Sequence, residues 1–219
     1  MKEQLQKDFD NSIKNLSLSQ KDIEIKKFCL DNFIDKGFPN RKEEDWKFSD
    51  LNQIIKKNIG ELSFYTDYTS TNKIDTSVYV DGLEHNKIVF INGRIEKIDF
   101  DYEKKNQIEI IDQSETIDQF NNNNSLSDLN NAFTNKSFKV LIKKGYQLKK
   151  PLIIYHTTNS NIWSKNINLR LNFELDNDSS LRLIDLFNDT SEKNFLNIFY
   201  NFDLKENAIL KNYKIDRFE

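Results

Sequence analysis

Leu5, Phe9, Ile13 and Leu16 recur at spacings of four, four and three along an otherwise polar stretch, the interval that stacks side chains on one face of an α-helix. The spacing predicts an amphipathic helix over residues 2–16 with a narrow apolar stripe. Ser19 is placed to cap a second helix, with Ile23, Lys27, Leu30 and Ile34 on one face, Gly37 to end it and Pro39 just beyond. A third, shorter helix is expected from about Glu43 through Ile55, where Trp46, Leu51, Ile54 and Ile55 share a buried side.

From residue 78 onward the period changes. The runs "SVYV", "KIVFINGRIEKIDF" and "QIEII" read as β-strands, and Asn92-Gly93 inside the second is the pair that a two-residue type I′ hairpin asks for. The helical region is therefore expected to end near residue 75. "TSTNKIDTS" and "QFNNNNSLSD" read as loops, and "SLSDLNNAF" as a helix of one or two turns that leads into a strand, "FKVLI".

The last eighty or so residues hold an internal repeat. When "NFELDNDSSLRLIDL" (172–186) is laid over "NFDLKENAILKNYKI" (201–215), Asn172 meets Asn201, Phe173 meets Phe202 and Leu175 meets Leu204. Leu181 meets Leu210, Arg182 meets Lys211 and Leu186 meets Ile215 in the same alignment. Each copy reads as strand, polar turn, strand. The offset of 29 is too long for one hairpin and carries no helical period, so parallel stacking of like on like, as in a β-solenoid, is expected. Antiparallel pairing in a sandwich is the alternative.

Composition sharpens this picture. A chain of 219 residues forms one large or two small domains with a sizeable core, and 17 Phe and 8 Tyr make that core aromatic. With 5 Gly and 2 Pro, Asn must take turn positions that Gly would usually fill. The net charge of −3 leaves no basic surplus for a phosphate backbone, so nucleic acid is not an expected partner. "MKEQLQKDFDNSIK" lacks the apolar core of a signal peptide, and no run approaches a membrane span, so the expectation is a soluble, cytoplasmic protein without a membrane partner. The lone Cys29 permits no internal disulfide, in keeping with a reducing compartment.

Candidate chemistry is sparse. There is no Walker A loop, no G-x-S-x-G elbow and no H-E-x-x-H motif. An iron–sulfur cluster needs about four thiolate or imidazole ligands, and Cys29, in the helical "KKFCLDNF", reads as a buried inert thiol. His85 in "GLEHNK" and His156 in "LIIYHTT" fall in different predicted regions, and His156 shares strand parity with Leu152 and Ile154, the signature of a buried, satisfied imidazole. Asp176, Asp178 and Asp185 are the one acidic set a carbohydrate-active parallel β-helix enzyme, a polysaccharide lyase or hydrolase, could use; Asp176 and Asp178 sit in a turn, where Asp serves the backbone. The lysines of "KKGYQLKK" read as a solvated turn. Trp46, among charged residues in "GFPNRKEEDWKFSDL", reads as an aromatic plug of the helical domain, with Glu44 and Lys47 solvated or paired locally. No catalytic, cofactor-binding or metal-binding residue is assigned, and the chain is not expected to be an enzyme.

The run Gly37, Phe38, Pro39, Arg41, Lys42, Glu44, Trp46, Lys47, Phe48, Ser49, Leu51 resembles the N-terminal "G-[LF]-P-x-x-K-x-E-x-W-[KR]-[YF]-[TS]-x-L" stretch of the SufD family of the SUF iron–sulfur assembly system. "IVFINGRI" resembles the strand that family writes as "VFVNG", and "LNNAFTNKSFKVLIKKGYQLKKPLIIYH" (129–156) its entry into a parallel β-helix. With the repeat, these blocks cover about residues 20–215 in order. The resemblance implies a mainly β fold with α: a small N-terminal helical domain over residues 1–75, a β-rich connector over 76–135 and the first coils of a right-handed parallel β-helix over 136–219. Family members are about twice as long, and the chain stops at "YKIDRFE", so the resemblance implies an N-terminal half. It implies a scaffold subunit beside a SufB-like subunit and a SufC-like ATPase, whose contacts and whose cluster-assembly residues lie in the other half. The cluster would be made by the complex and not held by this chain alone. A free-standing binding module is the third reading.

Overall fold

The fold is described from a computed structural model, for residues 2–14, 16, 18–64, 79–113, 124–134, 136–158, 162–188 and 193–217. The expected loop at 69–77, the boundary near residue 75, the Ser77–Val78 half of "SVYV" and residues 119–123 of the second expected loop lie outside these residues. The described residues form four α-helices and ten strands in two sheets, a mixed α/β architecture.

Helix α1 (Lys2–Lys14) buries Leu5 and Phe9 as the periodicity requires and stops short of Leu16. Helix α2 (Gln20–Lys36) begins where Ser19 accepts the Asp22 N–H and ends at Gly37, whose N–H donates to the Phe33 carbonyl and whose φ of 74° turns the chain out of the helix. Its buried face differs from the expected one. Lys26, Cys29, Leu30 and Phe33 point inward while Lys27 is exposed, because the i, i+3, i+4, i+7 set built on Phe33 and Leu30 buries more apolar surface. The third expected helix is divided. A single 3-10 turn (Glu44–Trp46) precedes α3 (Leu51–Asn58), because Asp50 accepts the Gln53 N–H and so starts a new helix. Leu51 and Ile55 are buried, Trp46 is half-buried and Ile54 is exposed. Helix α4 (Ser125–Phe133), capped by Asn124, packs Leu129, Ala132 and Phe133 into the same core as Leu5, Phe9, Leu30, Phe33 and Leu51.

The strands are β1 (Ser63–Phe64), β2 (Asn86–Ile91), β3 (Arg94–Asp99), β4 (Ile108–Asp112), β5 (Ser137–Ile142), β6 (Leu152–Thr157), β7 (Lys165–Leu175), β8 (Ser180–Asn188), β9 (Phe195–Leu204) and β10 (Ile209–Arg217). From β5 onward successive strands alternate between the sheets. One sheet contains β4, β5, β7 and β9, with the short β1 also on β7; the other runs β3, β2, β6, β8, β10. Among the described residues only β2 with β3 and β4 with β5 pair antiparallel; β6, β7, β8, β9 and β10 lie parallel on their neighbours. Asn92 and Gly93 join β2 to β3 with φ of 52° and 79°, the two positive values of a type I′ turn. A Cβ on Gly93 would also lie 2.9 Å from Ile167 Cγ2.

The sequence repeat is the strand register. Asn172 pairs with Asn201, Phe173 with Phe202 and Leu175 with Leu204 across β7 and β9. Leu181 pairs with Leu210, Arg182 with Lys211 and Leu186 with Ile215 across β8 and β10, all parallel. The rings of Phe173 and Phe202 stack at 5.4 Å. The turns repeat too: Asp178 and Asn207 adopt φ of 60° and 56°, and Asn207 Nδ2 donates to Asp178 Oδ1 at 3.0 Å, 29 residues away. Among the described residues, three of the five non-glycine residues with positive φ are Asn (Asn92, Asn106, Asn207), which fill turns that a glycine-poor chain must close otherwise.

Between the sheets Ile88, Phe90, Val140, Ile142, Leu152, Ile154, Leu171, Phe173 and Leu183 form the main core. Helix α4 sits on the outer face of β7 and β9 through a polar seam. Asn130 Nδ2 donates to the carbonyls of Leu169 (3.1 Å) and Asn197 (2.8 Å), and Asn197 Nδ2 donates to the carbonyl of Leu126 (2.9 Å) and to Asn168 Oδ1 (3.0 Å).

Candidate functional site

Inward-facing parity puts His156 on β6 in line with Leu152 and Ile154, and Asp185 on β8 in line with Leu181 and Leu183. Strand register then sets Phe90, His156 and Phe187 side by side on β2, β6 and β8. The imidazole is stacked between the two phenyl rings, 5.5 Å from Phe90 and 4.7 Å from Phe187. Tyr200 enters from β9 on the opposite sheet. Its hydroxyl donates a short hydrogen bond to Asp185 Oδ1 and lies 2.8 Å from His156 Nε2. Because that one O–H proton goes to the carboxylate, Nε2 must carry a hydrogen and donate to the phenolic oxygen, which fixes the imidazole tautomer.

Burial lowers the His156 pKa from its ordinary value, against the opposing pull of Asp185. Burial, followed by the Asp185 charge, pushes the Tyr200 hydroxyl well up. Lys214, the β10 partner of Asp185, covers the open side with its ammonium 4.6 Å from the centre of the Phe187 ring. The cavity beside His156, bounded by Phe90, Gly93, Thr157 and Ile167, measures about 10 Å³, the lower limit for one water. The trio can share protons, and among the described residues the space beside it holds about one water.

A second buried cluster joins the helices. Lys26 Nζ donates to the carbonyls of Asn131 (3.1 Å), Ala132 (3.4 Å) and Thr134 (2.6 Å) at the C-terminal end of α4, where partial negative charge accumulates. Burial lowers its pKa to about 8. Cys29, one turn along, is buried, and burial, followed by the nearby Asp128 charge, raises its thiol pKa. Asp128 in turn pairs with Lys36 at 3.1 Å.

The other sequence candidates are held apart. His85 lies on the opposite face of β6 from His156. Its Nδ1 donates to the Leu83 carbonyl at 2.6 Å and its Nε2 accepts from Tyr155 Oη at 2.7 Å; burial lowers its pKa. Asp176 accepts its neighbour's N–H and Asp178 accepts from Asn207, both in the turn, while Asp185 is inside the core, so the three acids do not form one set. The "KKGYQLKK" turn is pinned by Glu103, which accepts from Tyr146 Oη (2.6 Å), Asn86 Nδ2 (2.8 Å) and the N–H groups of Lys149 and Lys150. Burial of Glu103 works against its ionisation, but these donors prevail and lower its pKa. Trp46 packs on the helical core and also lines an open groove of about 520 Å³ with Glu43, Asp45, Leu126, Asn197 and Phe199. Phe48, two residues on, is 86% exposed.

Sequence reasoning missed Lys26, Glu103 and Tyr200. A signal existed for Lys26 in its i, i+3, i+4, i+7 relation to Cys29, Leu30 and Phe33, and for Tyr200 in its inward parity with Phe202. None existed for Glu103, which works from a loop. Among the described residues, no three His, Cys, Asp or Glu side chains gather into a metal-binding group, and no helix is long and apolar enough to cross a membrane. The chain matches no family model and no curated protein.

Proposed function

We propose that this chain is a non-catalytic structural scaffold: a SufD-like subunit of a cytoplasmic iron–sulfur assembly complex, working beside a SufB-like subunit and a SufC-like ATPase. Residues 136–219 are, in this reading, the first coils of a right-handed parallel β-helix, and the cluster is cargo of the complex. The reading draws its family from the "GFPNRKEEDWKFSDL", "IVFINGRI" and 129–156 blocks. The observation that carries the scaffold part is that side chains with chemistry to offer are spent inside the fold. His156, Asp185 and Tyr200 satisfy one another, His85 is held by Leu83 and Tyr155, and Lys26 is held by α4. The parallel register over ten residue pairs of β7 and β9 and nine of β8 and β10 supports a rigid stack suited to holding other subunits.

Co-expression with a SufB-like and a SufC-like protein tests the reading. Stable co-elution of the three is expected. Failure of this chain to join a SufB–SufC pair that forms without it would overturn the assignment. Anaerobic incubation of the isolated chain with iron and sulfide is expected to leave it colourless, and a stoichiometric, chelator-resistant cluster would refute the scaffold role. Cleavage of an acidic polysaccharide, abolished by Asp176→Asn, would replace it with the enzyme reading.

A further inference from the structure

The outer face of the β2–β6–β8–β10 sheet is covered over part of its width. Tyr79 and Val80 lie on Val89, Ile91, Ile153, Tyr155 and Leu186. The Val80 N–H donates to Tyr155 Oη at 3.1 Å, and the Tyr79 and Tyr155 rings are 5.0 Å apart. The rows beneath this cover continue onto β10. Ile153, Ile184 and Tyr213 are successive register partners, as are Tyr155, Leu186 and Ile215. Exposure rises along both: Leu186 is 1% exposed and Ile215 45%, while Tyr213 reaches 56%. On the same face Arg182 and Lys211 are register partners and both are exposed. Two like charges placed in register disfavour the pairing, and they give the apolar rows a basic margin.

We propose that Ile184, Tyr213 and Ile215, with Arg182 and Lys211 at their margin, form a docking surface for an extended segment of a partner protein carrying aromatic or β-branched residues followed by a carboxylate. Two features select this occupant. The cover already seated on the adjoining rows has this order of residue types, Tyr79-Val80-Asp81, and it meets the sheet through one aromatic ring and one β-branched side chain. The basic pair complements a carboxylate, and it opposes a second copy docked with its two-fold axis along the strands, which would set Arg182 and Lys211 against their own counterparts. The strip stands on register and exposure alone and does not depend on the scaffold reading.

The test titrates the full chain into a fluorescein-labelled peptide of its own residues 76–83, TSVYVDGL, and follows anisotropy. Saturable binding that weakens with added salt is expected. Tyr213→Lys, Ile215→Lys and the pair Arg182→Glu with Lys211→Glu should each weaken it at least about tenfold, with melting curves that overlay the parent's. Ile54→Lys, exposed on α3, should leave it unchanged, and a peptide with Asp81→Lys should bind less tightly. Absence of saturable binding, or binding indifferent to the β10 substitutions, overturns the proposal. Sedimentation of the chain alone should give a monomer; self-association abolished by Tyr213→Lys would reassign the strip to a second copy and overturn it as well. Tyr213 should react readily with tetranitromethane in the free chain, and its protection would mean that the chain covers its own strip, which refutes the assignment.

Discussion

The helical unit and the paired sheets each bury a titratable cluster, and they satisfy it in opposite ways. Lys26 is held by main-chain carbonyls at the end of α4, whereas His156, Asp185 and Tyr200 are held by one another. Side chains can be exchanged for apolar ones, but carbonyls cannot. The sheet cluster is thus a removable insertion in a core that is apolar around it, with Phe90 and Phe187 already flanking His156. The lysine instead repairs a helix end whose acceptors stay wherever the helix stays. Burial of polar groups therefore has different stakes in the two regions: partial loss is costly in both, and complete loss is tolerable in one.

Tyr200→Phe should produce the largest effect. It removes the hydroxyl that donates to Asp185 and leaves a buried carboxylate beside an imidazole 3.6 Å away, at a cost of about 3 kcal/mol in chemical denaturation. The triple replacement Tyr200→Phe, His156→Phe, Asp185→Leu should recover most of that loss, since no polar group is left unpaired. A triple variant less stable than Tyr200→Phe would show that the cluster is not removable. Lys26→Met comes next, at about 2 kcal/mol. Here no second substitution should restore stability, because the carbonyls of Asn131, Ala132 and Thr134 remain.

How legible these regions were differs for the same reason. Features that depend on neighbours in sequence could be read: the Ser19 cap, the Gly37 stop, the Asn92-Gly93 turn and the short helix at Ser125–Phe133. The offset of 29 could be read because parallel neighbours place similar residues in similar surroundings, and each aligned pair is a register pair. What could not be read depends on position in space. α2 has apolar residues on two adjoining faces, so choosing between Lys26 and Lys27 requires knowing that α4 ends nearby. Tyr200 meets His156 and Asp185 only because two sheets face each other, and periodicity within a strand holds no information about the opposite sheet. The Asp50 cap that divides the third helix was readable in principle, but the apolar spacing from Trp46 to Ile55 masked it.

Proton linkage separates the clusters further. Lys26 has a pKa of about 8 in the fold against an ordinary 10.5, so between those values the unfolded chain binds more protons and stability rises with pH. The gain is about 1 kcal/mol per pH unit above 8, and it is absent below 8 where both states are protonated. His156 has its pKa lowered from 6.5. As pH falls through 6.5 the unfolded chain takes up a proton that the fold does not, so stability drops, and the drop ends below the folded value. The difference in unfolding free energy between the parent and Lys26→Met should slope only above pH 8, and that between the parent and His156→Phe only below about 6.5. Slopes in one shared window would erase the distinction.

Cys29 offers the finest test, because it reports on the helical unit alone. The thiol is buried, its pKa is raised chiefly by burial, and it lies one turn from Lys26, so a neutral alkylating reagent reaches it only when the helices open. Lys26→Met should accelerate that labelling roughly tenfold or more, since about 2 kcal/mol of the lost stability falls on this unit. The loss of the nearby ammonium, which pulls the thiol pKa down, works slightly against the gain. Tyr200→Phe weakens the sheets more, yet it should change the labelling by less than about twofold if the helices open as a separate unit. The asparagine seam between α4 and β9 is the route by which this expectation can fail, because Asn130 and Asn197 tie the helix to the strand that carries Tyr200. If Tyr200→Phe speeds Cys29 labelling in proportion to its full destabilisation, opening is global and the two clusters belong to one cooperative unit. If it does not, the seam transmits position without transmitting stability, and helices and sheets can respond independently to whatever each one binds.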